Sequence, residues 1–337
     1  MDQLVRKMTV GDRVPNFYLD DTHGVAHELY NTDLSGGPIV VLVLARNGDD
    51  TVRQFDENTA AFEAFGAHLY ALAPSEDISA ACGDSAFFVV NDPDGSVGDD
   101  YLTTAGLEAP AMFALDPNQR IVACAGGTAA AGFAETARAA FDKIAPREAP
   151  RNIAMQAPVL FVPEVLDEAL CDRLIAAWGE NEHTTNIVNV ASGEQSTVGP
   201  RADSKRRDDF IVDGELEREL LVTLMPRIAP EIERAFNFDK EWMFEKFRVG
   251  CYDAKDAGFF RPHRDNDCEA LDHRKFPVSI SLNGGFEGGY VRFLEYGHDR
   301  YAPPKGGALI FSCGLLHEVA PVLKGRRFIL LSFIFTN

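Results

Sequence analysis

"SISLNGGFEGGYVRFLEY" (Ser279–Tyr296) decides how the second half of this chain reads. Two runs of aliphatic, β-branched and aromatic residues, Val278–Asn283 and Tyr290–Glu295, flank the glycine-rich turn "NGGFEGG" (Asn283–Gly289). Runs of this composition form strands, and glycine marks the points where the backbone reverses. Similar runs lie on both sides, at Glu245–Tyr252, Ala308–Phe311, Glu318–Val322 and Phe328–Phe335. Short strands at this spacing predict a sandwich or jelly roll. Ahead of them, "PVLFVPEVLDEALCDRLIAAW" (Pro158–Trp178) reads as a strand leading into an amphipathic helix. Leu216–Phe236 reads as a further helix, kinked or split at Pro226 and Pro230 because proline lacks the N–H that the helical ladder needs.

Moving towards the N-terminus, the pattern breaks at "APREAPRNIAMQAP" (Ala145–Pro158), which has three prolines and little periodicity and reads as a linker. Before it, strand-like and helical runs alternate. Ile39–Leu44 is a continuous aliphatic run suited to a strand covered on both faces. Thr51–Phe65 has helical spacing through Val52, Phe55, Phe62 and Phe65, and His68–Ala73 reads as strand. Met112–Leu115 and Ile121–Ala125 form a hairpin about Asp116–Asn118, and Ala129–Ile144 a closing helix. The order predicts an open α/β sheet. The expected organisation is α/β plus β-rich: residues 1–147, a linker at 148–157, and residues 158–337.

The chain has 337 residues, 46% hydrophobic and 25% charged, which suits two globular domains. Its formal net charge is −20, with 9 basic and 23 acidic side chains in residues 1–150. Such a surface repels phosphate backbones and has no basic run, so nucleic acid and anionic membrane are not expected partners. Met1–Pro15 is charged and has no apolar stretch, so no signal peptide is expected. The longest apolar runs, Pro38–Ala45 and Phe328–Phe335, are too short to span a bilayer. The six cysteines form no CxxC pair, which fits reduced thiols and a cytoplasmic location. Nothing in the sequence sets the oligomeric state.

Among eight histidines, only His263 is followed two places on by a carboxylate, Asp265. On a strand, positions i and i+2 project to one face, so the two side chains can share a metal. "GLLHEVAPVLKGRR" (Gly314–Arg327) supplies a third ligand, His317, downstream. Two imidazoles and one carboxylate leave three positions of an octahedral Fe(II) open for a chelating co-substrate and O2. Ten residues past His317, Arg327 opens the last strand, where a guanidinium can clamp a distal carboxylate through two hydrogen bonds.

Two resemblances follow from these stretches. "VGDRVPNFYLDDTHG" (Val10–Gly24), Ile39–Leu44, "VVNDPDGSVGDDY" (Val89–Tyr101) and "PAMFALDPNQRIV" (Pro110–Val122) together resemble the peroxiredoxin branch of the thioredoxin fold. That family places its nucleophilic cysteine where a helix N-terminus lowers the thiol pKa. The corresponding "ARNGDDTVRQF" (Ala45–Phe55) has no cysteine. Thr51 lies near the position, and a hydroxyl supplies no thiolate. The resemblance therefore implies a thioredoxin-like domain that is not peroxidatic.

"RVGCYDAKDAGFFRPHRDN" (Arg248–Asn266), Ser279–Tyr296, "PPKGGALIFSCGLLHEVAPV" (Pro303–Val322) and "GRRF" (Gly325–Phe328) resemble the prolyl-4-hydroxylase-type Fe(II)/2-oxoglutarate dioxygenases. The resemblance implies a double-stranded β-helix (a jelly-roll, cupin-like fold) with flanking helices. It implies Fe(II) at His263, Asp265 and His317, with 2-oxoglutarate held by Arg327 or its neighbour Arg326, and contacts from Tyr252 and Ser281. O2 is the co-reactant, and ascorbate joins the implied cofactors. The implied reaction hydroxylates a C–H bond of a peptidyl (prolyl) or small-molecule substrate and yields succinate and CO2. Asp265 in place of glycine or alanine argues against halogenation, which needs that coordination position free. The competing expectations are a thiol redox protein built on the N-terminal domain and a binding protein whose iron site is vestigial.

Overall fold

The structure, a computed structural model, describes residues 6–30, 34, 36–46, 50–82, 85–144, 150, 152–185, 187–192, 195–200 and 202–336. Two compact units divide the chain, Met1–Ala149 and Pro150–Asn337. Residues 150 and 152–158 carry neither helix nor strand. The linker positions 145–149 and 151, and positions 47–49 of the Ala45–Phe55 stretch, lie outside the described residues.

The first unit runs β1 (Tyr18–Asp20), β2 (Ala26–Glu28), β3 (Ile39–Val43), α1 (Thr51–Asp56), α2 (Thr59–Phe65) and β4 (His68–Ala73). It continues with α3 (Glu76–Ala81), β5 (Phe88–Asn91), α4 (Ser96–Ala105), β6 (Ala111–Leu115), β7 (Ile121–Gly126) and α5 (Phe133–Phe141). Five strands form one sheet in the order β5-β4-β3-β6-β7. The β3–β4 and β4–β5 pairs are parallel, while β3–β6 and β6–β7 are antiparallel. Every residue of β3 is buried, since Val41 and Val43 face one apolar cluster and Val40 and Leu42 another. The single helix expected over Thr51–Phe65 is broken in two. Asn58 bonds the Gln54 carbonyl and the Thr59 hydroxyl donates to the Asp56 carbonyl, so side chains compete with the backbone ladder. The closing helix begins later than expected, after a 3-10 turn over Gly127–Gly132.

The second unit opens with β8 (Val159–Val162), α6 (Glu168–Glu180), β9 (Thr184–Thr185), β10 (Ile187–Ser192), β11 (Gln195–Pro200), β12 (Asp208–Ile211) and α7 (Gly214–Phe236). There follow β13 (Met243–Phe244), β14 (Arg248–Asp253), β15 (Phe260–His263), β16 (Arg274–Ser281), β17 (Glu287–Gly288) and β18 (Val291–Arg292). The last four strands are β19 (Ala308–Phe311), β20 (His317–Val319), β21 (Val322–Lys324) and β22 (Arg326–Phe335). An eight-stranded sheet is ordered β8-β19-β16-β22-β14-β12-β9, with β13 on the end of β22. Opposite it lie the three-stranded sheet β15-β20-β18 and the pair β17-β21. Tyr252, Leu309 and Ile329 of the large sheet share an apolar cluster with Val291 and Val319 of the small one, which is the jelly-roll arrangement.

Helices α6 and α7 cover the outer face of the large sheet. The Asp167 carboxylate caps α6 by accepting from the Leu170 N–H at 2.7 Å. Of the two expectations for α7, a split is excluded: one helix runs through both prolines. Val222 and Pro226, whose carbonyls lose their partners to Pro226 and Pro230, are exposed, so water can satisfy them. On the opposite face Leu220, Leu224, Ile228 and Ile232, four residues apart, are fully buried against the sheet. Leu224→Ala, leaving a void there, is expected to lower stability by about 3 kcal/mol, read as a lower urea midpoint at unchanged m. An unchanged midpoint would show that this stripe does not carry the packing.

Candidate metal and co-substrate site

Two cross-strand pairs build the site. In the small sheet His263, the last residue of β15, stands directly opposite His317, the first of β20, and their ring centroids are 4.3 Å apart. In the large sheet Tyr252 of β14 stands opposite Arg327 of β22. Directly opposed residues share a face, so each pair presents both side chains to the space between the sheets.

Asp265 completes the first group from a different position than expected. β15 ends at His263, and Asp265 lies in the turn beyond, its N–H tied to the Cys313 carbonyl at 3.0 Å. Its Oδ1 is 3.6 Å from His263 Nε2 and its Oδ2 3.5 Å from His317 Nε2. One ligand atom from each of the three residues lies within 4.8 Å of the others. Both imidazoles are oriented by backbone: His263 Nδ1 bonds the Arg261 carbonyl at 2.7 Å and His317 Nδ1 the Leu315 carbonyl at 2.9 Å. A carbonyl only accepts, so each Nδ1 carries the proton and each Nε2 offers its lone pair to the centre of the group. Burial keeps His317 below the ordinary imidazole range, against the pull of the Asp265 carboxylate. For Asp265, burial opposes ionisation, but the charge of His317 and His263 in their protonated form outweighs it and lowers the carboxyl. Neutral imidazoles beside an ionised carboxylate form a donor set suited to a divalent first-row metal.

The second group is a buried cation without a counter-ion among the described residues. Arg327 is 4% exposed, and its Nη1 has no hydrogen-bond partner. Burial and the neighbouring Arg207 lower its pKa, and only Tyr252 opposes them. A buried, unsatisfied guanidinium is destabilising in the free protein, and a carboxylate ligand would relieve it. Arg326, the alternative, is exposed and lies over the Phe328 ring, on the other face of β22. The Tyr252 hydroxyl accepts a hydrogen bond from Arg207 Nη1 at 3.1 Å, which leaves its own proton for a ligand. Ser281 is buried on the cavity-side face of β16 but does not line the cavity; Ser279, two residues earlier, reaches the wall in its place.

Both groups line one cavity of about 730 Å³. Its wall also holds a cluster missed in the sequence. Asp209 accepts from Arg207 through both carboxylate oxygens (2.5 and 3.0 Å) and from Lys205 Nζ (2.7 Å), all within the protein interior. Burial and the adjacent Arg207 push Lys205 down to about 8, against Asp209. For Asp209 itself, burial is outweighed by the two cations, and its pKa is lowered. The signal was present in "SKRRDDF" (Ser204–Phe210), because Lys205, Arg207 and Asp209 alternate and so share one face of an extended segment. Gly250, opposite Asp209, makes room for them: a Cβ there would meet Arg207 Cδ at 2.8 Å and Asp209 Oδ1 at 2.9 Å. Gly250→Ala is expected to lower stability by about 1–3 kcal/mol through this overpacking, measured as a lower melting temperature. Unchanged melting would show that the cluster can move aside.

The thiols give no support to peroxide chemistry. Burial raises Cys124, and it pushes Cys171 up to about 11 and Cys251 up to about 12. All six cysteines are free. Among the described residues, no helix is long and apolar enough to cross a membrane.

Comparison with known proteins agrees on the second unit. Over 194 residues the chain is 29% identical to "Procollagen-lysine,2-oxoglutarate 5-dioxygenase 1" of Gallus gallus; the match covers 54% of this chain. The chain spans about a quarter of that relative's length, 24%. A Pseudomonas putida prolyl-4-hydroxylase structure aligns over 54% of this chain and 94% of its own, at 19% identity and a TM-score of 0.42. A peroxidoxin structure from Mycobacterium tuberculosis aligns over 41% of this chain and 99% of its own, at 19% identity and a TM-score of 0.36. Residues 247–335 match the model of the 2OG-Fe(II) oxygenase superfamily, a span that takes in His263, Asp265, His317, Tyr252 and Arg327. The second unit of this chain therefore carries a domain of the 2OG-Fe(II) oxygenase superfamily.

Proposed function

We propose that the chain is an Fe(II)- and 2-oxoglutarate-dependent hydroxylase acting on a peptidyl or small-molecule substrate. The observation that carries this is the unpartnered, buried Nη1 of Arg327 in the same cavity as a group of two histidines and one aspartate. His263, Asp265 and His317 would hold the metal through Nε2, one carboxylate oxygen and Nε2. Fe(II) bound there with 2-oxoglutarate and O2 supplies an oxidative decarboxylation that yields succinate and CO2 and places one oxygen atom in a substrate C–H bond. Arg327 would take the distal carboxylate of 2-oxoglutarate, and Tyr252 would donate its hydroxyl proton to the same co-substrate. Arg207 positions Tyr252, and Asp209 holds Arg207. Phe260 stacks on His263 with ring centroids 3.6 Å apart, and Phe311 lies edge-on to His317 at 4.7 Å, so apolar rings flank both imidazoles.

Succinate release on addition of Fe(II), 2-oxoglutarate and a peptide or metabolite panel tests this reading, with ascorbate supplied as the auxiliary reductant. Anaerobic addition of Fe(II) and 2-oxoglutarate should give a visible charge-transfer band. No band and no succinate would leave a binding protein with a vestigial iron site. For residues 1–149 we read a thioredoxin-like scaffold without peroxidatic chemistry. The two parallel and two antiparallel strand pairs of its sheet support it, as does the lack of cysteine in Ala45–Phe55. The six free cysteines support a reducing, cytoplasmic setting.

A further inference from the structure

The cavity wall has the opposite charge sense from the chain as a whole. Seven lysine and arginine side chains line it against three carboxylates, in a protein of net charge −20. The carboxylates are largely committed: Asp265 belongs to the metal group, and Asp209 is shared by Lys205 and Arg207. Arg274 is held by Glu245 at 2.6 and 2.7 Å, and Arg264 by Glu295 at 2.7 Å. Arg248 differs. It is half-buried on the inner face of β14, lines the cavity, and has no carboxylate within hydrogen-bond distance among the described residues.

Its neighbours define what could lie beside it. Ile211 of β12 and Leu331 of β22 are its cross-strand partners, and all three line the cavity. Pro277 and Phe333 extend the apolar wall along β16 and β22. Arg248 stands four residues from Tyr252 on one strand, roughly 13 Å away, so one short diacid anchored on Arg327 cannot also reach it. Apart from the exposed Arg261, which donates to the Asp203 carbonyl, the cavity thus has two separated guanidiniums without a carboxylate partner among the described residues, Arg327 and Arg248, with the metal group set in the opposite sheet.

We infer that the substrate is an anion, with an aliphatic stretch against Ile211 and Leu331 and a carboxylate on Arg248. This rests on the hydroxylase reading and names its substrate class. A cationic side chain would be repelled by the same wall, and a neutral amide would leave Arg248 without its counter-charge. The carboxylate belongs to a free acid or to an acidic residue of a peptide, and the two are told apart by the probes.

The test is calorimetric titration of the full-length protein with hexanoate, hexanamide and hexylamine, and with acetyl-Gly-Glu-Gly-amide and its glutamine counterpart. Acids should bind about tenfold or more tightly than the matching amide, and hexylamine least. The preference should vanish in Arg248→Gln, persist in Arg248→Lys and persist in Arg327→Gln. A preference for hexanoate alone identifies a free acid, and one shared by the glutamyl peptide an acidic residue. Equal binding of acid and amide overturns the inference, as does a preference lost in Arg327→Gln and kept in Arg248→Gln. Wild-type selectivity and the Arg327→Gln arm decide the matter even where Arg248→Gln does not fold. The titration needs neither metal nor 2-oxoglutarate. Failure of the hydroxylase reading would appear separately, as absence of the charge-transfer band.

Discussion

Asp265→Ala is expected to reduce 2-oxoglutarate turnover on the order of a thousandfold, about 4 kcal/mol of transition-state stabilisation, while the protein stays folded. The carboxylate is the one anionic member of the metal group, and its two oxygens face His263 and His317 at 3.6 and 3.5 Å. Without it, two neutral imidazoles remain, a weaker and less selective set for Fe(II). Folding should survive because the backbone N–H of residue 265 keeps its bond to the Cys313 carbonyl, and a buried anion is exchanged for a methyl group. Succinate formation measures the effect, circular dichroism checks the fold, and His263→Ala should fall with it. If both variants turn over as fast as the wild type, the metal assignment is wrong.

A second large change is expected at Arg327, together with a gain in stability. Arg327→Met should raise the KM for 2-oxoglutarate by about a hundredfold, near 3 kcal/mol, the range for charge-assisted hydrogen bonds to a buried carboxylate. The same substitution should stabilise the ligand-free protein by about 1–3 kcal/mol, because it removes an unsatisfied guanidinium from the interior. Arg327→Lys restores charge without the two-pronged geometry and should recover only part of the affinity. A higher melting temperature together with a higher KM marks a residue kept for binding at a cost in stability. An unchanged KM would remove Arg327 from the co-substrate site.

Several positions carry weak signals that compete within the sequence. Ser281 and Ser279 share a face of β16, and periodicity alone does not say which of them reaches the cavity. For Arg326 and Arg327, strand alternation separates the two, but their phase depends on which face of β22 turns inward. The continuity of α7 through Pro226 and Pro230 depends on the exposure of the carbonyls freed, which no propensity carries. The Lys205–Arg207–Asp209 cluster sat in a run that also reads as an ordinary charged surface.

By itself the sequence determined the α/β first half, the strand-rich second half, and the residue types that can chelate a metal, because these follow from period, composition and side-chain chemistry. The glycine-rich stretch Asn283–Gly289 already announced strands folded back on one another. Tertiary structure alone decided the rest. His317 becomes a ligand partner only because β20 pairs in register with β15, and Asp265 only because its turn is pinned to Cys313. The unsatisfied state of Arg327 and the open guanidinium of Arg248 are likewise set by what the opposing sheet places near them. Long-range pairing and burial set the strength of a charge, and neither is local in the chain.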